Sequence, residues 1–484
     1  MFSDRQLPHA RYELLIENKR TGLNYNRAIK AGGIIAAVVI ITCLTAYISW
    51  KSLKSFHDRE FVKKLWELNL NNSDSVEWLK QRAELYGLAV KQYLDSNQSH
   101  TFTAVPPVIT NKSPSSNIKA KTFRLVCYYS LPNSGIGGDL MPEEINPSLC
   151  THINIAFAQI TNGSLQPVNS TILGLYNRVV ALKSGNPSLK VLLSIAGNSE
   201  PGSFSTLTAT HANRKQFIKD VLAVLVQCKL DGLDFDWEFP AWQSDKKERV
   251  HFTQLLMELR DELNRRHSNL LVSVAVASPK PIIDDSYDVP QMVEYVDYVN
   301  VMTYDYHFYV WYLPMTGFNA PLYKHSDDIG YFATLNTNWT VSYWESKGMP
   351  KEKIVVGLPT YGHSFTLVND ANHGVSAPAS GFGLLGSKGF VSYPQTCQFV
   401  AAEAATVFDR DSRAPYAYKN TQWISYDDER SLAYKAEYVA SGGYGGAMIW
   451  ALNMDDFKSE CSNSGQNWFP LITKVKNVLE DDQL

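Results

Sequence analysis

The 484-residue chain has no surplus of charge of either sign: 45 Lys and Arg stand against 48 Asp and Glu, a formal net charge of −3. A nucleic-acid binder needs a concentrated basic face, and this balance leaves no electrostatic footprint for one. Charged residues make up only 19% against 45% hydrophobic, which argues against wholesale disorder. No internal repeat is present, and no heptad pattern is sustained long enough for a coiled coil. Long runs that are both uncharged and predominantly apolar are absent with one exception. Aromatics, at 12%, are mildly enriched, which suits a large core and also suits a sugar-binding surface.

The exception is Ala31 to Trp50, twenty residues without a charge. A helix of that length spans a bilayer core of about 30 Å. Thirty residues carrying Arg5, Arg11, Lys19, Arg20, Arg27 and Lys30 precede it, and no small-residue cleavage pattern follows, so it reads as an uncleaved signal anchor. Five Lys and Arg lie in residues 11–30 and five in residues 51–70, so charge alone does not orient it. The N-x-S/T sequons do: Asn71, Asn97, Asn111, Asn162, Asn169 and Asn338 all follow the segment. Besides Cys43 in the span there are five cysteines, Cys127, Cys150, Cys228, Cys397 and Cys461, of which an exported domain could pair four. The expected topology is single-pass type II: a cytosolic tail (1–30), the anchor (31–50), a helical stalk and linker (51–121), and an extracellular or lumenal domain (122–484).

From Thr122 onward short apolar, β-rich runs recur: Phe123–Tyr129, His152–Ala158, Lys190–Ile195, Gly232–Trp237, Leu270–Ala277, Tyr298–Tyr304, Lys353–Leu358 and Gly446–Leu452. Amphipathic stretches separate most of them. Eight such strands alternating with helices predict an α/β fold, a closed parallel (β/α)8 TIM barrel. The gap before the last strand, about 85 residues, is too long for one helix. Its Gly-rich, β-rich content predicts an inserted α+β subdomain after strand 7, roughly residues 361–425.

The fourth run continues as DGLDFDWEFP, residues 231–240. Strand side chains alternate faces, so Asp234, Asp236 and Glu238 share one, about 7 Å apart in succession, while Phe235 and Trp237 share the other. Three carboxylates crowded into a barrel lumen cannot all ionise cheaply, and one that keeps its proton at the strand's C-terminal end is what a general acid requires. Acid alternation also suits a solvated strand face or a Ca²⁺ or Mg²⁺ site, so the pattern alone leaves those readings open.

The stretch resembles the D-G-x-D-x-D-x-E signature of glycoside hydrolase family 18, the chitinases and chitinase-like lectins. NVMTYD (300–305), GLPTYGHSFTL (357–367) and GGAMIWALNMDDF (445–457) resemble further blocks of that family, in order, over roughly Phe123 to Leu479. The resemblance implies hydrolysis of β-1,4-linked N-acetylglucosamine polymers or oligomers, chitin or chito-oligosaccharides, without metal or cofactor. It implies a retaining mechanism in which the substrate's own acetamido oxygen is the nucleophile. Glu238 would be the proton donor, Asp236 the residue that orients the acetamido group, Asp234 its proton-sharing neighbour, and Tyr304 a hydrogen-bond donor to the acetamido carbonyl. Asp305 would touch sugar and support the acid, Trp450 would lie beneath the distorted sugar, and Met302 and Phe239 would wall it. Asp231, Gly197, Asn198, Thr303 and Tyr361 match further substrate-binding positions. The resemblance also implies disulfides Cys127–Cys150 and Cys397–Cys461.

Three departures bear on substrate. SIAGNSEPG (194–202) has Asn198 where many members carry a Trp, CYYSLPNS (127–134) lacks another, and His363 stands where Arg is usual. Each lost stack removes about 1–3 kcal/mol per sugar, by analogy with base stacking, although Trp311 could replace one. No cysteine-rich chitin-binding module is expected after the barrel. The alternative is a non-catalytic lectin or signalling ectodomain on the same fold, against which Glu238, Asp236 and Tyr304 all speak; a hydrolase of N-glycan cores is a further reading.

Overall fold

Valine, isoleucine, leucine and aromatic residues fill the short runs, and buried on both faces they pair as parallel strands rather than as an amphipathic hairpin. The computed structural model describes residues 123–481 apart from 133, 136, 166–168, 198–201 and 462–466. Its strands are β1 (Arg124–Ser130), β2 (His152–Thr161), β3 (Ser164–Leu165), β4 (Lys190–Gly197), β5 (Gly232–Trp237), β6 (Leu271–Val276), β7 (Tyr298–Val301) and β8 (Ile354–Pro359). There follow β9 (Tyr361–Leu367), β10 (Ala379–Phe382), β11 (Phe390–Ser392), β12 (Ala405–Asp409), β13 (Ala414–Lys419), β14 (Gln422–Ser425) and β15 (Gly446–Trp450). The parallel sheet runs β1-β15-β8-β7-β6-β5-β4-β2, and β2 pairs back onto β1, which closes an eight-stranded barrel. The expected tail, signal anchor, stalk and linker lie outside the described residues. Among the described residues no helix is long and apolar enough to cross a membrane.

The helices are α1 (Ser170–Ala181), α2 (Phe204–Thr208), α3 (His211–Gln227), α4 (Glu248–Arg265), α5 (Lys280–Ser286), α6 (Val289–Tyr295), α7 (Thr337–Ser346), α8 (Tyr393–Ala401), α9 (Glu429–Gly442) and α10 (Pro470–Asp481). Polar residues start several of them: the side chains of Asn169, Thr210, Asn336 and Asp428 accept from backbone N–H groups that the helix leaves unpaired. Gly443, left-handed at φ 75°, ends α9. Packing follows strand parity. Phe235 and Trp237 of β5 point outward, where Phe235 meets Phe217 of α3 and Trp237 stacks on Phe204 of α2 at 5.0 Å. The lumen side is filled by Val126, Leu192, Val355 and Met448 together with the polar residues described below.

Between β8 and α9 an antiparallel sheet runs β10-β9-β14-β13-β12, with β11 also paired to β9. It has its own apolar cluster around Phe365, Leu367, Tyr416 and Trp423. Both disulfides implied by the resemblance are formed: Cys127–Cys150 ties β1 to the entry of β2, and Cys397–Cys461 ties α8 to the segment after β15. Cys228 is buried and unpaired.

A buried ion pair holds the return from the inserted sheet into α9. Lys435 Nζ donates to Asp427 Oδ1 at 2.5 Å, and both side chains are almost fully buried. Burial pushes the Lys435 ammonium down and the Asp427 carboxyl up, and each partner opposes the other's shift. Removing one partner leaves a buried charge uncompensated, so Lys435→Met is expected to cost about 3–5 kcal/mol in urea unfolding. The double substitution Asp427→Leu/Lys435→Met is expected to recover most of that loss; a single variant as stable as wild type contradicts the role.

Candidate active site

The acids on β5 are arranged by depth. Asp234 is fully buried, Asp236 almost so, and Glu238, one residue past the strand's end, is half-buried. The alternation places them on the lumen side because Phe235 and Trp237 occupy the helix side. The series therefore climbs from the barrel interior to its C-terminal mouth, where barrel chemistry takes place.

Asp234 sits in a cage of four donors. Tyr128 Oη (2.7 Å) and Ser194 Oγ (2.6 Å) donate to Oδ2, while Ser273 Oγ (2.6 Å) and Asn300 Nδ2 (3.2 Å) donate to Oδ1. The donors come from β1, β4, β6 and β7, so one carboxylate joins four strands around the lumen. With every lone-pair direction occupied, the cage favours a protein-held carboxylate over a solvated face or a metal ligand. Burial pushes the Asp234 carboxyl above its ordinary range, and the four hydrogen bonds oppose that push. Three of the partners are hydroxyls, whose protons can rotate to accept instead of donate. The cage thus serves Asp234 both ionised and protonated.

Around the mouth the other strand ends contribute aromatic and polar groups. Tyr304 is buried beside Met448 and edge-on to Tyr361. Burial, then the charges of Asp305, Asp236, Glu238 and Asp234, hold its hydroxyl well above the usual tyrosine range, so it remains a donor. Asp305 has a left-handed backbone, φ 59°, and Asn319 Oδ1 accepts its N–H at 2.9 Å. Its Oδ1 accepts from Tyr361 Oη at 2.6 Å and lies 2.8 Å from His363 Nε2. His363, in place of the usual Arg, still faces this carboxylate. The floor is Trp450, stacked on Phe157 with ring centroids 5.6 Å apart and flanked by Tyr128 at 5.3 Å. Met302 packs against the same cluster. Trp311 and Tyr312, on the loop after β7, are exposed and edge-to-face with each other.

The loop after Glu238 is pinned from below. The buried Glu248 carboxylate, in the first turn of α4, accepts from Ala241 N (2.9 Å), Ser244 Oγ (2.6 Å) and Ser205 Oγ (2.6 Å). Phe239 is buried next to the acid.

Several expected contacts have other roles. Asp231 lies at the far end of β5, seven residues or about 23 Å of strand from Glu238. Its carboxylate pairs with Lys183 Nζ at 2.7 Å and accepts the Val191 N–H, so it anchors the entries of β4 and β5 and is not a sugar contact. Thr303 is fully buried and donates to Gly357 O at 2.6 Å, joining the end of β7 to β8 with no surface left for sugar. Gly197 lies at the end of β4 against the Phe204 ring, where a Cβ would come within 2.8 Å. Asn198 lies outside the described residues. Conversely, Tyr128, Ser194, Ser273, Asn300, Phe157 and Glu248 were not singled out from sequence. Inward parity on each strand is the signal that could have found the strand residues.

The cage makes a pH-dependent prediction. A carboxyl whose folded pKa exceeds its unfolded 3.8 is ionised first in the unfolded chain, so its contribution to stability is present in acid and lost as pH rises. The difference in unfolding free energy between wild type and Asp234→Asn is therefore expected to shrink as pH rises from about 4 toward neutrality. Denaturant titrations across that range that show a constant or growing difference contradict it.

Comparison with known proteins agrees with this geometry. A model of Glycosyl hydrolases family 18 matches residues 124–455. Chitinase-3-like protein 2 of Homo sapiens is 38% identical over 371 residues, covering 74% of this chain and 93% of that protein. Chitotriosidase-1 of Mus musculus is 36% identical over 349 residues, covering 70% and 74%. A solved structure of human YKL-39, described as a pseudo-chitinase with retained chitooligosaccharide binding, superposes with a TM-score of 0.70 at 37% identity, covering 74% of this chain and all of that one. On sequence, barrel and caged acid strand together, the chain belongs to glycosyl hydrolase family 18.

Proposed function

We propose that the barrel hydrolyses β-1,4-linked N-acetylglucosamine chains, cutting within them, with retention of configuration. The observation that carries this reading is the intact series Asp234, Asp236 and Glu238, graded from buried to accessible, beneath a mouth lined by Tyr304 and Trp450. Glu238 gives its proton to the glycosidic oxygen as the C1–O bond breaks, and the substrate's acetamido oxygen closes on C1 to form an oxazolinium ion. Tyr304, held protonated, donates to the acetamido carbonyl, and Asp236, next above the caged Asp234 on the same strand face, orients the acetamido N–H. Water then attacks C1, with Glu238 taking the proton. Stabilisation of charge that appears only in the transition state is what raises the rate.

The non-catalytic reading has one observation in its favour, the 37% identity to a pseudo-chitinase that retains chitooligosaccharide binding. Glu238 separates the two readings. For placement we propose that residues 31–50 anchor the chain as a single-pass type II membrane protein with the barrel extracellular or lumenal. The charge-free run and the two disulfides support this, since disulfides persist in oxidising compartments.

Glu238→Gln is expected to lower turnover of soluble N-acetylglucosamine oligomers by about 10²-fold or more, because a general acid contributes about 10²–10⁴-fold. Oligomer affinity, read by calorimetry, is expected to stay near wild type. A variant that keeps more than about a tenth of the activity overturns the assignment of the acid. A wild type that binds but never cleaves supports the lectin reading.

A further inference from the structure

Three N-x-S/T sequons lie among the described residues, at Asn162, Asn169 and Asn338, and their surroundings differ in kind. Asn162 and Gly163 form the two-residue turn between β2 and β3, both with positive φ, 53° and 70°. That is the Asn-Gly hairpin geometry, with the side chain at an exposed tip. Ser164, which supplies the sequon hydroxyl, is exposed as well. Asn169 is exposed and caps α1 through Oδ1, which accepts the Ile172 N–H at 2.9 Å. N-glycosylation uses Nδ2, so the cap survives the modification. Asn338 is different: its Oδ1 accepts from Tyr438 Oη at 3.1 Å, and its sequon hydroxyl, on Thr340, is fully buried between Tyr306 and Ser278.

We infer that Asn162 and Asn169 carry N-linked glycans, that Asn338 does not, and that the Asn162 glycan stands on the rim of the active site and screens it from packed polymer. The inference rests on the export reading above. In the transfer, Asn162 Nδ2 bonds to C1 of an oligosaccharide and loses a proton. The C1–O bond to a lipid pyrophosphate donor breaks, and the lipid pyrophosphate leaves with the electron pair.

Position supplies the functional part. Both asparagines lie in the connection from β2 to α1, and connections that follow barrel strands project over the C-terminal face. Phe157 of β2 already stacks on the floor residue Trp450, and Asn162 is five residues further along the same strand, about 17 Å beyond it. The turn is fixed there by Gly163 N–H donating to Gly202 O at 2.8 Å, on the segment that links β4 to α2. A bulky hydrated sugar at that tip leaves room for a single oligosaccharide chain to thread the cleft. It keeps the cleft from lying flat on a crystalline surface, in accord with the shortage of stacking residues on that side.

The test uses the full chain produced in a eukaryotic secretory host, with occupancy of each sequon read by glycopeptide mass spectrometry. Asn162→Gln and Ser164→Ala both delete the sequon, and the second leaves the Asn-Gly turn untouched. Expected are glycan at Asn162 and Asn169, none at Asn338, and loss of one glycan in either variant. Turnover of soluble oligomers is expected to be unchanged, and activity on, or binding to, insoluble chitin to rise severalfold. A bare Asn162 beside an occupied Asn169, an occupied Asn338, or unchanged behaviour on insoluble chitin overturns the inference. All three sequons bare, with Cys127, Cys150, Cys397 and Cys461 titrating as thiols, overturns the export reading beneath it. Failure to cleave soluble oligomers in every form falls on the hydrolase reading alone, because the chitin-binding comparison still decides the role of the glycan.

Discussion

A carboxylate with no exposed surface has to be matched by donors or kept protonated, and Asp234 meets that requirement with four partners drawn from four strands. The rest of the site follows from it. The cage sets the rotational position of β5 in the barrel, which aims Asp236 and Glu238 up the lumen and turns Phe235 and Trp237 toward the helices. Because Tyr128, Ser194 and Ser273 can reverse their hydroxyl protons, the cage tolerates either charge on Asp234. Asp234 can therefore hold or release a proton without leaving an unpaired buried group at the foot of the acid series.

The pinned loop after β5 completes the arrangement from outside the barrel. Glu248 gathers Ala241, Ser244 and Ser205 and so fixes the chain that carries Glu238 out of the strand. Two strands around the barrel, after β7, Asp305 is set by a left-handed backbone and shared between Tyr361 and His363. Tyr361 and His363 belong to β9, the first strand of the inserted sheet, so that sheet builds one wall of the site. Trp450, at the end of the last strand, closes the floor.

The barrel was legible in the sequence because parallel strands covered on both faces read as unbroken apolar runs, and each predicted run overlaps an observed strand. The lumen position of Asp234 and Asp236 was legible from the two-residue period of DFDWE. The partners of Asp234 were not. Ser194, Ser273 and Asn300 converge on it only through the register β4–β5–β6–β7, which no local pattern encodes. Asp231 misled for a related reason: it belongs to the same motif by sequence, yet it serves the barrel's opposite end through Lys183 and Val191. Thr303 was read by its place in a motif, whereas its hydroxyl is committed to Gly357. Glu248 was invisible because an acid in a helix's first turn needs no further explanation.

The account's central claim is that the substrate's own acetamido group, positioned over Asp236 and Tyr304, is the nucleophile. The most direct test follows the anomeric proton signals of the first product released from an N-acetylglucosamine oligomer, by NMR, before mutarotation. The account predicts the β-anomer first, and no cleavage of the corresponding oligomer lacking acetyl groups. An α-anomer first, or equal cleavage of the deacetylated oligomer, would contradict it.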